Sequence, residues 1–245
     1  MARWSVLGGL ASVAVHRSFE PARVVGSVDG LFDGALHALL WSSDAGTTAA
    51  VQMLGLIVCL LGLMRTDAGG RTAGVVGAVL IASSFAFMGH TAAHDQRWLL
   101  GPALIVHVLI VAFWFGALWP LSRVGRHEEI RVAGTVVERF SAIAMLAVPM
   151  LFVAGLVLSV VLLQSLAALR TPYGALLLAK IAGFGVLMAL ATLNKWRYGP
   201  AIGRGDGSAI RSFGVSVTLE WVVIAIVLLT AASMTSLFAP IAMQR

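Results

Sequence analysis

Charge is what this sequence has least of. Of its 245 residues only 11% are Asp, Glu, Lys or Arg, against 59% hydrophobic, whereas a soluble domain carries about a quarter charged residues. A soluble core of this size would need a charged shell, and the chain cannot supply one. Cysteine is nearly absent as well. Cys59 stands alone, so no disulfide can close within the chain and a secreted disulfide scaffold is excluded. The apolar content excludes intrinsic disorder. Acidic residues are outnumbered, 11 to 17, giving a net charge of +6 and a pI near 10.7. No basic stripe with interleaved aromatics accompanies that excess, so nucleic acid is not the expected partner; the basic residues flank apolar runs, where orientation in a bilayer accounts for them.

Motifs for catalysis are missing too. There is no nucleophile elbow, no His-Glu-x-x-His zinc motif and no credible triad, so the chain is read as a non-enzyme. Gly203, Gly205 and Gly207 imitate a phosphate loop only superficially. No strand precedes them and no Lys-Ser/Thr follows.

What the sequence does have is long apolar runs, with a mean hydropathy of +0.94. A helix crosses the bilayer core in about 20 apolar residues. Runs of that kind occupy 47–64, 72–90, 99–120, 140–163, 173–194 and 214–235, and a more polar one occupies 4–28. Transmembrane strands would be about 10 residues long with alternating polarity, so the expected fold is all-α: one integral-membrane bundle over 1–245 with about seven spans. The 4–28 segment, interrupted by His16, Arg17, Glu20, Pro21 and Arg23, is read as a polar first helix rather than a signal peptide. With the N-terminus in the cytoplasm, eleven of the 17 basic residues lie on inner segments, three on outer ones and three within spans. This bias predicts an inside N-terminus and an outside C-terminus.

Ionisable groups within spans are expensive and each needs a partner or a task. His90 is expected to close the third helix at its outer end, and His94 follows four residues later, on the same face if the helix persists. His107 falls about two turns into the fourth helix, and Lys180 about two turns into the sixth, at about 1.5 Å per residue. Gln52, His16 and Glu20 fall at similar depth on the second and first helices. Polar groups from five helices are thus predicted to converge on the outer third of the bilayer. Imidazole suits copper, zinc or iron, and thioethers such as Met88 and Met234 favour Cu(I); Cys59 and the other methionines are read as packing. Two histidines on consecutive helices also keep a haem-carrying electron-transfer protein as an alternative. For Lys180 an ion pair with Glu20, or snorkelling, is expected. Glu220 enters from the inner side in the last helix, level with Asn194 and Lys195, and a helix-pairing contact is expected there.

Several of these residues carry a resemblance. Gly89-His90-Thr91, His107 and Trp114-Phe115-Gly116-Ala117-Leu118 are followed by Arg139-Phe140-Ser141 and Tyr173-Gly174-Ala175-Leu176-Leu177-Leu178-Ala179-Lys180. Leu193-Asn194-Lys195-Trp196-Arg197, Pro200 and Leu219-Glu220-Trp221 complete the series. In order and spacing, from about Trp4 to Pro240, the chain resembles the CopD-type copper-resistance membrane proteins. The resemblance implies copper handling in the bacterial inner membrane: uptake from the periplasm, often with a CopC-type periplasmic copper carrier. The matching ligands are His90 and His107, with His94 auxiliary. A third reading is a non-transporting membrane partner of such a carrier. The chain departs from the family in having seven apparent spans where eight are common, and in Ala117 where a second Gly is common.

Overall fold

The computed structural model describes residues 2–127, 130–163 and 165–237, and among them every regular element is helical. The first helix, α1 (Ala2–Val25), is continuous over 24 residues. A short turn leads to α2 (Gly34–Trp41), whose first N–H groups are capped by Asp33, the carboxylate accepting from the Leu36 N–H at 3.0 Å. Then come α3 (Asp44–Gly62), α4 (Ala68–Ser84), the five-residue α5 (Gly89–Ala93) and the long α6 (Arg97–His127) and α7 (Ile130–Leu162). The series closes with α8 (Pro172–Leu193), a π turn at Asn194–Tyr198, the short α9 (Gly199–Gly203) and α10 (Gly207–Leu237).

Six helices among the described residues are long and apolar enough to cross a membrane: Asp44–Gly62, Ala68–Phe87, Arg97–Arg123, Val132–Leu162, Pro172–Gly203 and Gly207–Met234. The expected seventh span differs. It folds as a helix, but Arg17, Glu20 and Arg23 keep α1 out of that set. Those charges are answered locally: Arg17 is buried, ion-pairs with Glu20 one turn on and lies 5.0 Å over the Trp41 ring, while Arg23 meets His16 Nε2 at 3.2 Å. Two of the helices run well beyond the predicted spans 99–120 and 140–163. Helix α7 begins ten residues before the predicted 140, and α6 runs past Arg123 to His127.

The chain forms two compact units, Met1–Leu109 with Ala154–Leu162 and Ile110–Val153 with Leu163–Arg245, so α6 and α7 contribute to both. In the first unit, α3 and α4 pack as a tight hairpin on glycine. A Cβ on Gly55 would stand 2.7 Å from the Gly77 carbonyl oxygen, and one on Gly62 2.7 Å from that of Gly70. Small residues let two backbones approach this closely where lipid offers no hydrophobic drive. The turn between them is fixed by Asp67, which accepts from the Gly70 N–H at 3.0 Å and pairs with Arg65 at 2.7 Å. These contacts, with those of the Gly69 and Asp67 amides, hold the exposed Asp67 carboxyl below the ordinary range, the Arg65 hydrogen bond being the largest cause.

The second unit has an apolar core built from Trp114, Leu118 and Leu121 of α6, Leu187 of α8 and Phe213, Val217 and Ile224 of α10, among others. Phe115 stacks on Trp221 with centroids 5.2 Å apart. On α10 the core-facing positions recur at helical spacing, as a buried stripe requires. Glu220 falls on that stripe.

Candidate functional site

The histidine region lies in the first unit. Helix α4 ends at Ser84 and a tight turn spans Phe85–Phe87. Met88 is then extended (φ −132°, ψ 161°) and Gly89 takes φ +77°, a left-handed conformation that glycine adopts without a Cβ clash. The third helix therefore does not persist to His94. His90 is instead the second residue of the new short helix α5; its side chain lies outside the described residues. His94 has left helical geometry as the C-cap of α5 (φ −85°, ψ 144°). Its Nδ1 accepts the Gln96 N–H at 3.0 Å, so its imidazole is held in a local turn with Nε2 directed elsewhere. The break at Met88-Gly89 precedes both histidines: His90 belongs to a separate short helix rather than to the end of the third, and that helix stops at Ala93 with His94 as its cap.

His107, in the first half of the α6 span and partly buried, packs on Gly155 of α7. A Cβ there would meet the ring at 3.4 Å (Cε1) and 3.5 Å (Nδ1), so glycine makes a seat for the imidazole. Met88 is exposed, at 46%, and Gln52 is half-buried on α3. His16 is exposed and engaged with Arg23, and Glu20 is engaged with Arg17. Met234 and Lys180, both half-buried, belong to the second unit. No group of three or more His, Cys, Asp or Glu poised around one metal position occurs among the described residues, a set that excludes the His90 side chain.

The most completely built polar constellation is in the second unit. Glu220, 2% exposed, accepts the Trp114 indole N–H of α6 at 3.2 Å on Oε2 and the Asn194 amide N–H at 2.5 Å on Oε1. Asn194 opens the π turn that follows α8, an insertion frequent at functional sites. Of the two partners expected for Glu220, the structure takes Asn194. Lys195 turns away to Met145 Sδ and the Trp196 ring. Buried beside the clamp, Asn194 Oδ1 and the Ser216 hydroxyl, one turn before Glu220, have no hydrogen-bond partner among the described residues. Sequence reasoning missed Trp114 as a polar partner and Ser216 as a buried hydroxyl. The signal for Trp114 was its motif; nothing in spacing could tie it to α10, since the pair is 106 residues apart.

Energetically the clamp is finely set. Removing a carboxylate from water costs several kcal/mol even after relaxation (roughly the penalty per buried ion). Hydrogen bonds to a charged group return about 1.5–3 kcal/mol each. Two donors thus offset much of the charged form's penalty without a cation.

Fold and site together define a polytopic helical membrane protein, with a histidine region in one unit and a three-helix carboxylate clamp in the other. Comparison with known proteins goes further. The family model CopD, "Copper resistance protein D", matches residues 134–234. The chain is similar to Copper resistance protein D of Pseudomonas syringae pv. tomato, 26% identical over 220 residues, covering 81% of this chain and 71% of that protein. It is similar also to Copper transport protein CutJ of Bacillus subtilis (strain 168), 30% identical over 162 residues, covering 63% of this chain but only 28% of that longer protein. No solved structure matches. These findings support a CopD-type family for the chain and a copper-related membrane protein. Asn194 and Glu220 both lie within the matched segment.

Proposed function

We propose that the protein binds copper at a histidine site on the outer side of the bacterial inner membrane and passes it from periplasm to cytoplasm. His90 and His107 are the primary ligands, His94 is auxiliary and Met88 is a soft partner. Copper here is cargo. The donor set suits it: neutral imidazole binds either oxidation state and an exposed thioether favours Cu(I). On the distribution of Lys and Arg, and with α1 crossing as a seventh, more polar span, the N-terminus lies in the cytoplasm and the C-terminus in the periplasm. A CopC-like periplasmic carrier is the proposed donor.

The observation that carries this reading is the seating of His107 on Gly155. An ionisable group inside an apolar span needs a partner or a task, and here the facing helix provides the room for the imidazole. The copper names of both relatives supply the identity of the ion. Copper accumulation in vesicles tests it: wild type should load and the His90→Ala, His107→Ala double variant should not. Equal loading by both would remove the site.

A further inference from the structure

Glu220 belongs to the second unit, and the copper reading assigns it no task. Its second-unit surroundings point to a different ligand. The carboxylate is buried within a membrane span, and the ion pairs found among the described residues, Arg17–Glu20 and Arg65–Asp67, leave it without a cationic partner. Among the described residues, the charged groups on each element packed around it are directed elsewhere. Arg123 of α6 lies over the Trp119 ring, and Glu138 and Arg139 of α7 are exposed. After α8, Lys195 contacts Met145 Sδ, Arg197 is exposed, and Tyr198 packs on the apolar core. Arg204 and Asp206, in the turn before α10, and Arg211 in its early turns are exposed as well. Lys180 stands roughly 21 Å up α8 from Asn194, at about 1.5 Å per residue.

Two N–H donors, from Trp114 and Asn194, meet the carboxyl oxygens, an arrangement that suits a proton better than a metal ion, which would face their hydrogens. A proton is compatible with the same geometry. Asn194 Nδ2 stands 2.5 Å from Glu220 Oε1, with the amide N–H donating. An amide can present either end to a partner. Turned over, Asn194 would offer Oδ1, at present a buried acceptor without a donor, to a carboxylic O–H. The ionised form has the mirror arrangement, with the amide N–H donating. Because the penalty for the buried charge and the return from two donors are of similar size, as set out above, neither form is strongly excluded.

We propose that Glu220 is a proton-binding site within the membrane, exchanging between carboxylic acid and carboxylate under Trp114 and Asn194. Loading forms an O–H bond at Oε1 with a proton taken from hydronium, leaving water; unloading returns the proton to water. No electrons move and no metal takes part, so the inference stands apart from the copper reading.

The test is infrared difference spectroscopy between acid and alkaline pH on the full chain in copper-free lipid vesicles. Wild type should show a protonated-carboxyl carbonyl band that shifts in D2O and is lost in Glu220→Gln. Identical difference spectra for wild type and Glu220→Gln would overturn the proposal. Should Glu220→Gln not fold, judged by helical circular dichroism, Trp114→Phe decides instead. It keeps the carboxyl but removes one donor, and should move the band and the pH midpoint of its loss. A band and midpoint unchanged in Trp114→Phe would contradict the assignment to Glu220.

Discussion

Gly77 offers a sharp perturbation, because what a single methyl would strike there is backbone. On α4 its added Cβ would lie 2.5 Å from both the Gly55 carbonyl oxygen and Cys59 Sγ, and 2.8 Å from the Cys59 amide nitrogen. Carbon and carbonyl oxygen settle at about 3.3–3.6 Å, so the helices must part by most of an ångström. A radial gap of about 0.5–1 Å forfeits roughly a quarter to a half of each contact's attraction, and overpacking of this kind costs about 1–3 kcal/mol. That range corresponds to roughly a 5- to 150-fold change in a local opening equilibrium. Cys59 reports it directly, being the sole cysteine of the chain, half-buried and hydrogen-bonded to the Gly74 carbonyl at 3.6 Å. In Gly77→Ala its labelling by a membrane-permeant maleimide should accelerate by that factor. Gly74→Ala, one turn away on the same helix with nothing within 4 Å of the added Cβ, should label at or below the wild-type rate. Equal rates in the two variants would refute the glycine-packed hairpin.

Other outcomes follow from the same reasoning. Glu220→Leu leaves the Trp114 and Asn194 donors buried without an acceptor, at about 1–3 kcal/mol each. Its thermal unfolding temperature should fall, and adding Trp114→Phe and Asn194→Leu should recover part of the loss; additive losses would deny the clamp. Gly155→Ala should keep copper affinity, since its Cβ reaches only ordinary contact with His107, whereas Gly155→Leu should weaken binding about tenfold or more (about 1.4 kcal/mol per tenfold), read by competition with a copper chelator. The Asp67 carboxyl, held low chiefly by Arg65, stabilises the start of α4 above the ordinary carboxylate range. That contribution is lost as pH falls through its lowered value, so hydrogen exchange at the Gly70 amide should accelerate in acid beyond its intrinsic trend. Asp67→Asn, which still caps, should abolish this pH dependence.

The helical class was legible because six long apolar runs leave little else to build. The limits of that legibility are physical. Periodicity and hydropathy carried the 72–90 run through Phe85–Met88, although Gly89 was the residue able to break it, so His90 was assigned to the end of the third helix rather than to the short helix that follows. Helix α1 was counted as a span because its apolar first half is sound; its charges are answered by Arg17–Glu20 and Trp41, contacts visible only in three dimensions. The partner of Glu220 was half legible. Depth along two adjacent helices brought Asn194 level with it, but Lys195 was an equal candidate, and the π turn decided between them. Trp114, on a helix distant in sequence, could not be inferred by counting. Asp33 and Asp67, by contrast, are the local caps their residue type favours.

The claim at the centre of this account is that His90 and His107 hold copper. Metal content of the purified full chain in lipid, after equilibration with copper and removal of free ion, tests it most directly. The account predicts copper retained by wild type and lost from the His90→Ala, His107→Ala variant, with helical content unchanged. Copper retained equally by both, or absent from wild type, would contradict it.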